Sequence, residues 1–202
     1  MEDGCLLGEF YMNVKLTHSQ TLLPMAEQLL ACTQVALQDI GLFAVSAGPG
    51  SFTGVRIGVS CVKGMAMARN IPCAGVSTLR AMAENARGME GVVCAVMDAR
   101  CGQVYNAMFR VSGDSVERLC PDRALALVGD GAELCHRTFS AFGARLLPPM
   151  QRFQRAAGVA LAAAETDETV TADALMPVYL RLPQAERELR KKNKQAKENS
   201  GI

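Results

Sequence analysis

Phe43 to Ala86 reads FAVSAGPGSFTGVRIGVSCVKGMAMARNIPCAGVSTLRAMAENA, and this stretch decides the fold. Phe43 to Ala47 is a short apolar run stopped by Gly48-Pro49-Gly50, the pattern of a buried strand that ends in a sharp turn. Ser51 or Thr53 can then accept from the free N–H groups of a following helix. Inside that helix Gly54, Gly58, Cys61, Met65 and Ala68 recur at three- and four-residue spacing, a stripe of mostly small side chains. Each interior glycine costs about 0.5–1 kcal/mol relative to alanine. Two of them therefore point to a close contact that offsets the loss. The helix ends near Arg69-Asn70, ahead of Pro72, and Cys73-Ala74-Gly75-Val76 forms a second short strand. The unit is strand, helix, strand.

A glycine turn that opens a helix also invites a phosphate, because free N–H groups and the positive dipole end point outward. GPGSFTG is not G-x-G-x-x-G, since its third glycine falls one residue late. Nor is it G-x-x-x-x-G-K-[ST], because no Lys follows Gly54. A tight turn packing helix on strand is preferred to a phosphate cradle.

Working outward, 202 residues can bury a real core and hold one domain or two small lobes. Half the residues are hydrophobic and the formal net charge is +1, so no global field draws the chain to nucleic acid. No run of 18 or more apolar residues occurs, and MEDGCLLGEF lacks a signal-peptide pattern. The eight cysteines include no C-x-x-C, and Cys32, Cys61, Cys73 and Cys94 fall inside apolar helix or strand patterns. Reduced, buried thiols in a cytoplasmic protein are the reading.

Upstream, Leu6 to Val14 reads as a strand, and Thr17 to Cys32 as an amphipathic helix with Leu22, Met25, Ala26 and Leu29 on one face. Leu23 and Leu30 widen that face beyond one core contact, so part of it is expected to meet a partner. Pro24 is expected to kink this helix or mark its first turn. Downstream, the pattern gives a helix over 79–86 and strands over 92–97, 103–111 and 116–120. A strand over 126–128, helices over 132–139 and 153–165 and a final strand over 174–180 complete it. The last residues, with Lys and Arg at 187, 190, 191, 192 and 194, read as a solvated charged end rather than an RNA-binding face.

SAGPGSFTGVRIGVSCVKGMA followed by GVSTLRAMA resembles the TsaB (YeaZ) family, the accessory subunit of the bacterial machinery for threonylcarbamoyladenosine in tRNA. LTHSQTLLPM (16–25), MDARCGQVYNAMF (97–109) and PVYLRLPQAER (177–187) extend the likeness over most of the chain. The resemblance implies an α/β fold of the actin-like, ribonuclease H-like (ASKHA) type with two lobes, 1–91 and 92–182, and a charged tail, 183–202. Family members normally begin with a further apolar strand closing on Asp-Thr-Ser, so the first lobe is expected to lack its N-terminal strand.

Chemistry is sparse. His18 and His136 stand alone, no H-E-x-x-H or G-x-S-x-G occurs, and nothing fixes two carboxylates as acid and base. In the catalytic TsaD relatives two histidines four apart follow an equivalent Gly-Val; that alignment reaches Thr78 and Met82, a hydroxyl and a thioether unsuited to a hard metal. The resemblance therefore implies a non-catalytic scaffold, with no cofactor and no metal of its own. It pairs with a TsaD-like subunit for threonylcarbamoyl transfer to N6 of adenosine 37 in ANN-decoding tRNAs. A TsaE-like ATPase is a further partner, tRNA is met indirectly, and no membrane is involved. The interface is expected on the helices at 18–31 and 54–69, from Leu22, Met25, Leu29, Gly54, Gly58, Cys61 and Met65, with a homodimer when the partner is missing. The alternative is an actin-like or sugar-kinase-like ATPase, or a peptidase, acting on its own.

Overall fold

A computed structural model describes residues 1–12, 14, 16–99, 104–119, 125–128, 131–139, 145–166, 168–179, 186, 189 and 193. The chain order is α1 (His18–Thr33), β1 (Phe43–Gly48), α2 (Phe52–Met67), β2 (Cys73–Ser77) and α3 (Thr78–Ala83). Then come β3 (Glu90–Asp98), β4 (Val104–Ser112), β5 (Ser115–Leu119), β6 (Leu125–Val128), α4 (Ala132–Phe139), β7 (Arg145–Leu146), α5 (Pro149–Arg152) and α6 (Ala156–Ala164).

Two sheets organise these elements. β1 and β2 pair in parallel, Phe43 opposite Cys73 and Ser46 opposite Val76, the two-strand unit that the central stretch predicts. Side chains alternate across a strand. Phe43, Val45 and Cys73 accordingly pack toward Val59, Val62 and Ala66 of α2, while Ala44, Ala74 and Val76 pack toward Val159, Ala162 and Ala163 of α6. The second sheet runs β5-β4-β3-β6-β7, with β3 antiparallel to β4 and parallel to β6. Its one face (Val93, Ala95, Ala107, Phe109, Val111) lies on α3, and the other (Cys94, Val96) on Ala132 of α4.

α3 is shared by both layers. Leu79, Met82 and Ala83 enter the core of the second sheet, while Ala81 packs with α6 under the first. Contact with α6 is backbone to backbone: a Cβ at Gly158 would strike the Ala81 carbonyl. The rim of α3 carries charge. The Glu84 side chain, wholly shielded from solvent, is paired by Arg80 Nε at 2.6 Å and Arg87 Nε at 2.5 Å. Both guanidinium groups also reach Glu165 just beyond α6, and Arg87 donates to the Asp114 carbonyl at the β4–β5 turn.

Several sequence expectations need correction. Leu6–Met12 forms no strand with another strand; Glu9 instead accepts from Ala157 N–H at 2.9 Å, capping α6, and pairs with Arg155. The carboxylate thus satisfies a helix end, which draws the segment away from a ladder. α1 runs unbroken through Pro24, which lies inside the helix and not in its first turn. The expected strand over 174–180 is irregular in its described part, 174–179. β7 and the single turn of α5 gave no periodic signal of their own, being two and four residues long. Residues 129–130, between the strand and helix expected there, and most of the charged tail lie outside the described residues.

Candidate partner-binding surface

α1 begins where the Thr17 N–H donates to the Gln20 side-chain oxygen, 3.2 Å, and ends on Gln34 in the left-handed region, φ 56°. None of its residues is fully buried. An amphipathic helix with no buried residue has an apolar stripe that its own chain does not use up.

α2 starts on Ser51, whose Oγ accepts from Gly54 N–H at 3.3 Å; of the two hydroxyls expected to cap the helix, Ser51 does so. Val59, Val62 and Ala66 are its buried face. Together α1 and α2 border a groove of about 400 Å³, lined by His18, Leu22, Leu23, Arg56, Ile57 and Cys61 among others. Leu23 stands 47 % exposed at its edge. Burial pushes the Cys61 thiol pKa up, which favours the neutral thiol, a small and weakly polar group.

The seven sequence-predicted interface residues separate by role. Leu22 and Cys61 line the groove. Gly54 faces α1, where a Cβ would meet His18 Cδ2 at an ordinary contact distance of 3.5 Å. Gly58 faces inward, where a Cβ would meet Val45 Cγ2 of β1 at 3.6 Å, and Met65 packs on the same core. Leu29 lies beneath Gly8, and Met25 is half-buried on α1. Ile57 and Arg56 line the groove without having been singled out. Ile57, a large apolar residue just off the small-residue stripe, was the available signal.

The glycine turn is closed by the chain itself. The Val178 N–H donates to the Ala47 carbonyl at 2.7 Å, and a Cβ on residue 48 would collide with the Val178 carbonyl oxygen. Gly48 has φ 128°, a backbone region that only glycine enters freely. Beyond it, Tyr179 stacks on Phe52 at 4.9 Å, and the Arg56 guanidinium lies 5.2 Å from the other partner in that stack, the Phe52 ring.

Thr78 and Met82, the positions aligned with two metal-binding histidines, are each 2 % exposed. Thr78 Oγ1 shares a 2.6 Å hydrogen bond with Ser46 Oγ, and Met82 fills the core under the second sheet. Among the described residues no group of three His, Cys, Asp or Glu side chains is placed to hold a metal, and no helix is long and apolar enough to cross a membrane.

Comparison with known proteins agrees with this architecture. Residues 13–131 match the family model described as TsaD, tRNA N6-adenosine threonylcarbamoyltransferase. The chain is 35 % identical over 127 residues to the Bacillus subtilis tRNA threonylcarbamoyladenosine biosynthesis protein TsaB, covering 63 % of this chain and 56 % of that protein. It is 44 % identical over 110 residues to the Escherichia coli protein of the same name, covering 54 % and 47 %. The chain thus spans about half the length of the curated relatives it matches. Among solved structures it is similar to YeaZ from Pseudomonas aeruginosa, with TM-score 0.71 and 26 % identity over 85 % of this chain and 88 % of that one.

Proposed function

We propose, from the premise that this chain belongs to the TsaB (YeaZ) family, that it is a non-catalytic accessory subunit of tRNA threonylcarbamoyladenosine synthesis. It works by docking a TsaD-like catalytic subunit, in a cytoplasmic complex that also uses a TsaE-like ATPase and holds tRNA indirectly. The observation that carries this reading is the α1–α2 surface: a helix with no buried residue beside a groove of largely apolar lining. A helical stripe that its own chain only half buries is a face another helix fits.

Two further features favour docking over independent catalysis. The positions that would hold a metal in the catalytic relatives are spent on packing, as the Thr78–Ser46 hydrogen bond and buried Met82 make plain. The glycine turn is packed against Val178 of the same chain. Alone, the groove face also supports association with a second copy of the chain.

Reconstitution tests the reading. TsaD-like and TsaE-like subunits, ATP, the threonylcarbamoyl-adenylate donor and an ANN-decoding tRNA transcript are combined with and without this protein. The chain alone gives no modified adenosine, and adding it to the partners raises product formation. Equal product without it rejects the accessory role; nucleotide hydrolysis or peptide cleavage by the isolated chain rejects the non-catalytic one.

A further inference from the structure

We propose that Met176–Tyr179 is a strap that fixes the first turn of α2, so that the α1–α2 groove depends on a segment lying outside its lining. The inference rests on the docking role just described only where it concerns affinity; the strap itself is a property of the isolated chain.

α2 needs such support. Gly54, Gly58 and Gly64 all lie within its sixteen residues, each lowering helix propensity, and its first turn carries no acidic side chain to meet the positive dipole end. Arg56, one residue further on, places a cation near that same positive end. The helix start is therefore weak by its own sequence, although its side chains at 56 and 57 line the groove and Gly54 touches α1.

Three contacts from one short segment offset this weakness. The Val178 N–H holds the Ala47 carbonyl, near the end of β1 and just before the glycine turn. The Val178 carbonyl occupies the space that any side chain at 48 would need. Tyr179 stacks on Phe52, the first residue of α2, and Phe52 in turn carries the Arg56 cation on its ring. The stack gives Arg56 a favourable partner where the helix dipole gives it none. Met176 and Tyr179 are themselves 65 % and 45 % exposed, so the strap runs over the surface and is not part of the core. A surface segment held by one hydrogen bond and one ring contact opens more readily than the sheet beneath it.

Amide hydrogen exchange on the intact chain reads the strap directly. The reporters are Gly54 N–H, bonded to Ser51 Oγ, Val55 N–H, bonded to the Ser51 carbonyl, and Val178 N–H. Tyr179→Ala is expected to speed exchange at all three by roughly three- to tenfold, the loss of one aromatic pair, with the second sheet unchanged. Tyr179→Phe keeps the ring and restores native rates. Affinity for the TsaD-like subunit falls by a similar factor in Tyr179→Ala and returns in Tyr179→Phe. Val178→Pro, which removes the donor to Ala47, is the second variant and moves the Gly54 and Val55 amides.

Unchanged exchange at Gly54 and Val55 in both disrupting variants overturns the strap. Faster exchange with native affinity overturns its link to the groove. Weaker binding with native exchange does so too, because Tyr179 would then be touching the partner itself. If the native chain does not bind the TsaD-like subunit at all, the docking role falls, and the exchange rates still decide the strap.

Discussion

Gly48 answers to two constraints at once, a φ of 128° and a carbonyl oxygen lodged where its side chain would be. Alanine at this position meets both. Gly48→Ala is therefore predicted to destabilise the chain by about 1–3 kcal/mol from backbone strain, with the displaced Val178 adding to it. A urea midpoint equal to that of the native chain would refute the close approach. Gly58 is a gentler case, since Val45 lies at ordinary contact distance; the space there suits a methyl group and not a leucine, so Gly58→Leu is expected to lower the melting temperature before it touches any partner. Cys94 reports on burial by titration. Desolvation, with Cys135 nearby, pushes its pKa up to about 11 from 9.0. The folded state thus holds the proton more tightly than the unfolded one, so this stabilisation is complete below pH 9 and is lost as pH rises toward 11. Between those values stability should fall more steeply in the native chain than in Cys94→Ala. Parallel pH profiles for the two would show that Cys94 is not shielded as described.

At the scale of elements, α3 and its rim join the two sheets. Glu84 sits between Arg80 and Arg87 with its side chain wholly out of solvent, whereas Glu165 closes the same cluster from a position 42 % exposed. Removing one partner from a buried ion pair leaves charge without compensation, which costs about 3–5 kcal/mol; an exposed pair contributes about 0–1 kcal/mol. Glu84→Ala should accordingly unfold most of the chain at temperatures where Glu165→Ala remains native. Similar melting curves for the two variants would mean that the cluster is solvated. Glu9 plays a smaller part at the far end of α6. It accepts from the Ala157 N–H and pairs with Arg155, so Glu9→Ala should cost about 1 kcal/mol through the lost cap. A chemical-denaturation difference near zero would remove that role.

For the whole molecule, the question is which surface meets the partner. Leu22→Glu places a charge in the groove from α1, and Cys61→Arg does so from α2. Neither residue belongs to a buried core cluster, so both variants should keep native far-UV circular dichroism. Binding to the TsaD-like subunit should weaken by roughly tenfold to a hundredfold for each, the equivalent of about 1.4–2.8 kcal/mol. The measurement is a titration by calorimetry. Native affinity in both variants would move the interface away from α1 and α2.

The central stretch was legible because its signals are local. An apolar run, a glycine turn, a hydroxyl cap and a proline stop each act within a few residues, and together they specify β1, α2 and β2 without help from the rest of the chain. The family likeness across several motifs was equally readable. Tertiary structure alone decided the remainder. Residues 6–12 are apolar enough to read as a strand, yet a strand also needs a neighbour, and Glu9 found the end of α6 instead. The small-residue stripe on α2 showed that something comes close, but not what: at Gly54 it is α1, and at Gly58 it is β1. Residues 174–180 read as a strand, yet Val178 and Tyr179 make their contacts with Ala47, Gly48 and Phe52, more than a hundred positions away. Periodicity records how a segment packs against one uniform neighbour. It carries no record of a contact made once, between two distant pieces of chain, and such contacts hold the glycine turn and shape the groove.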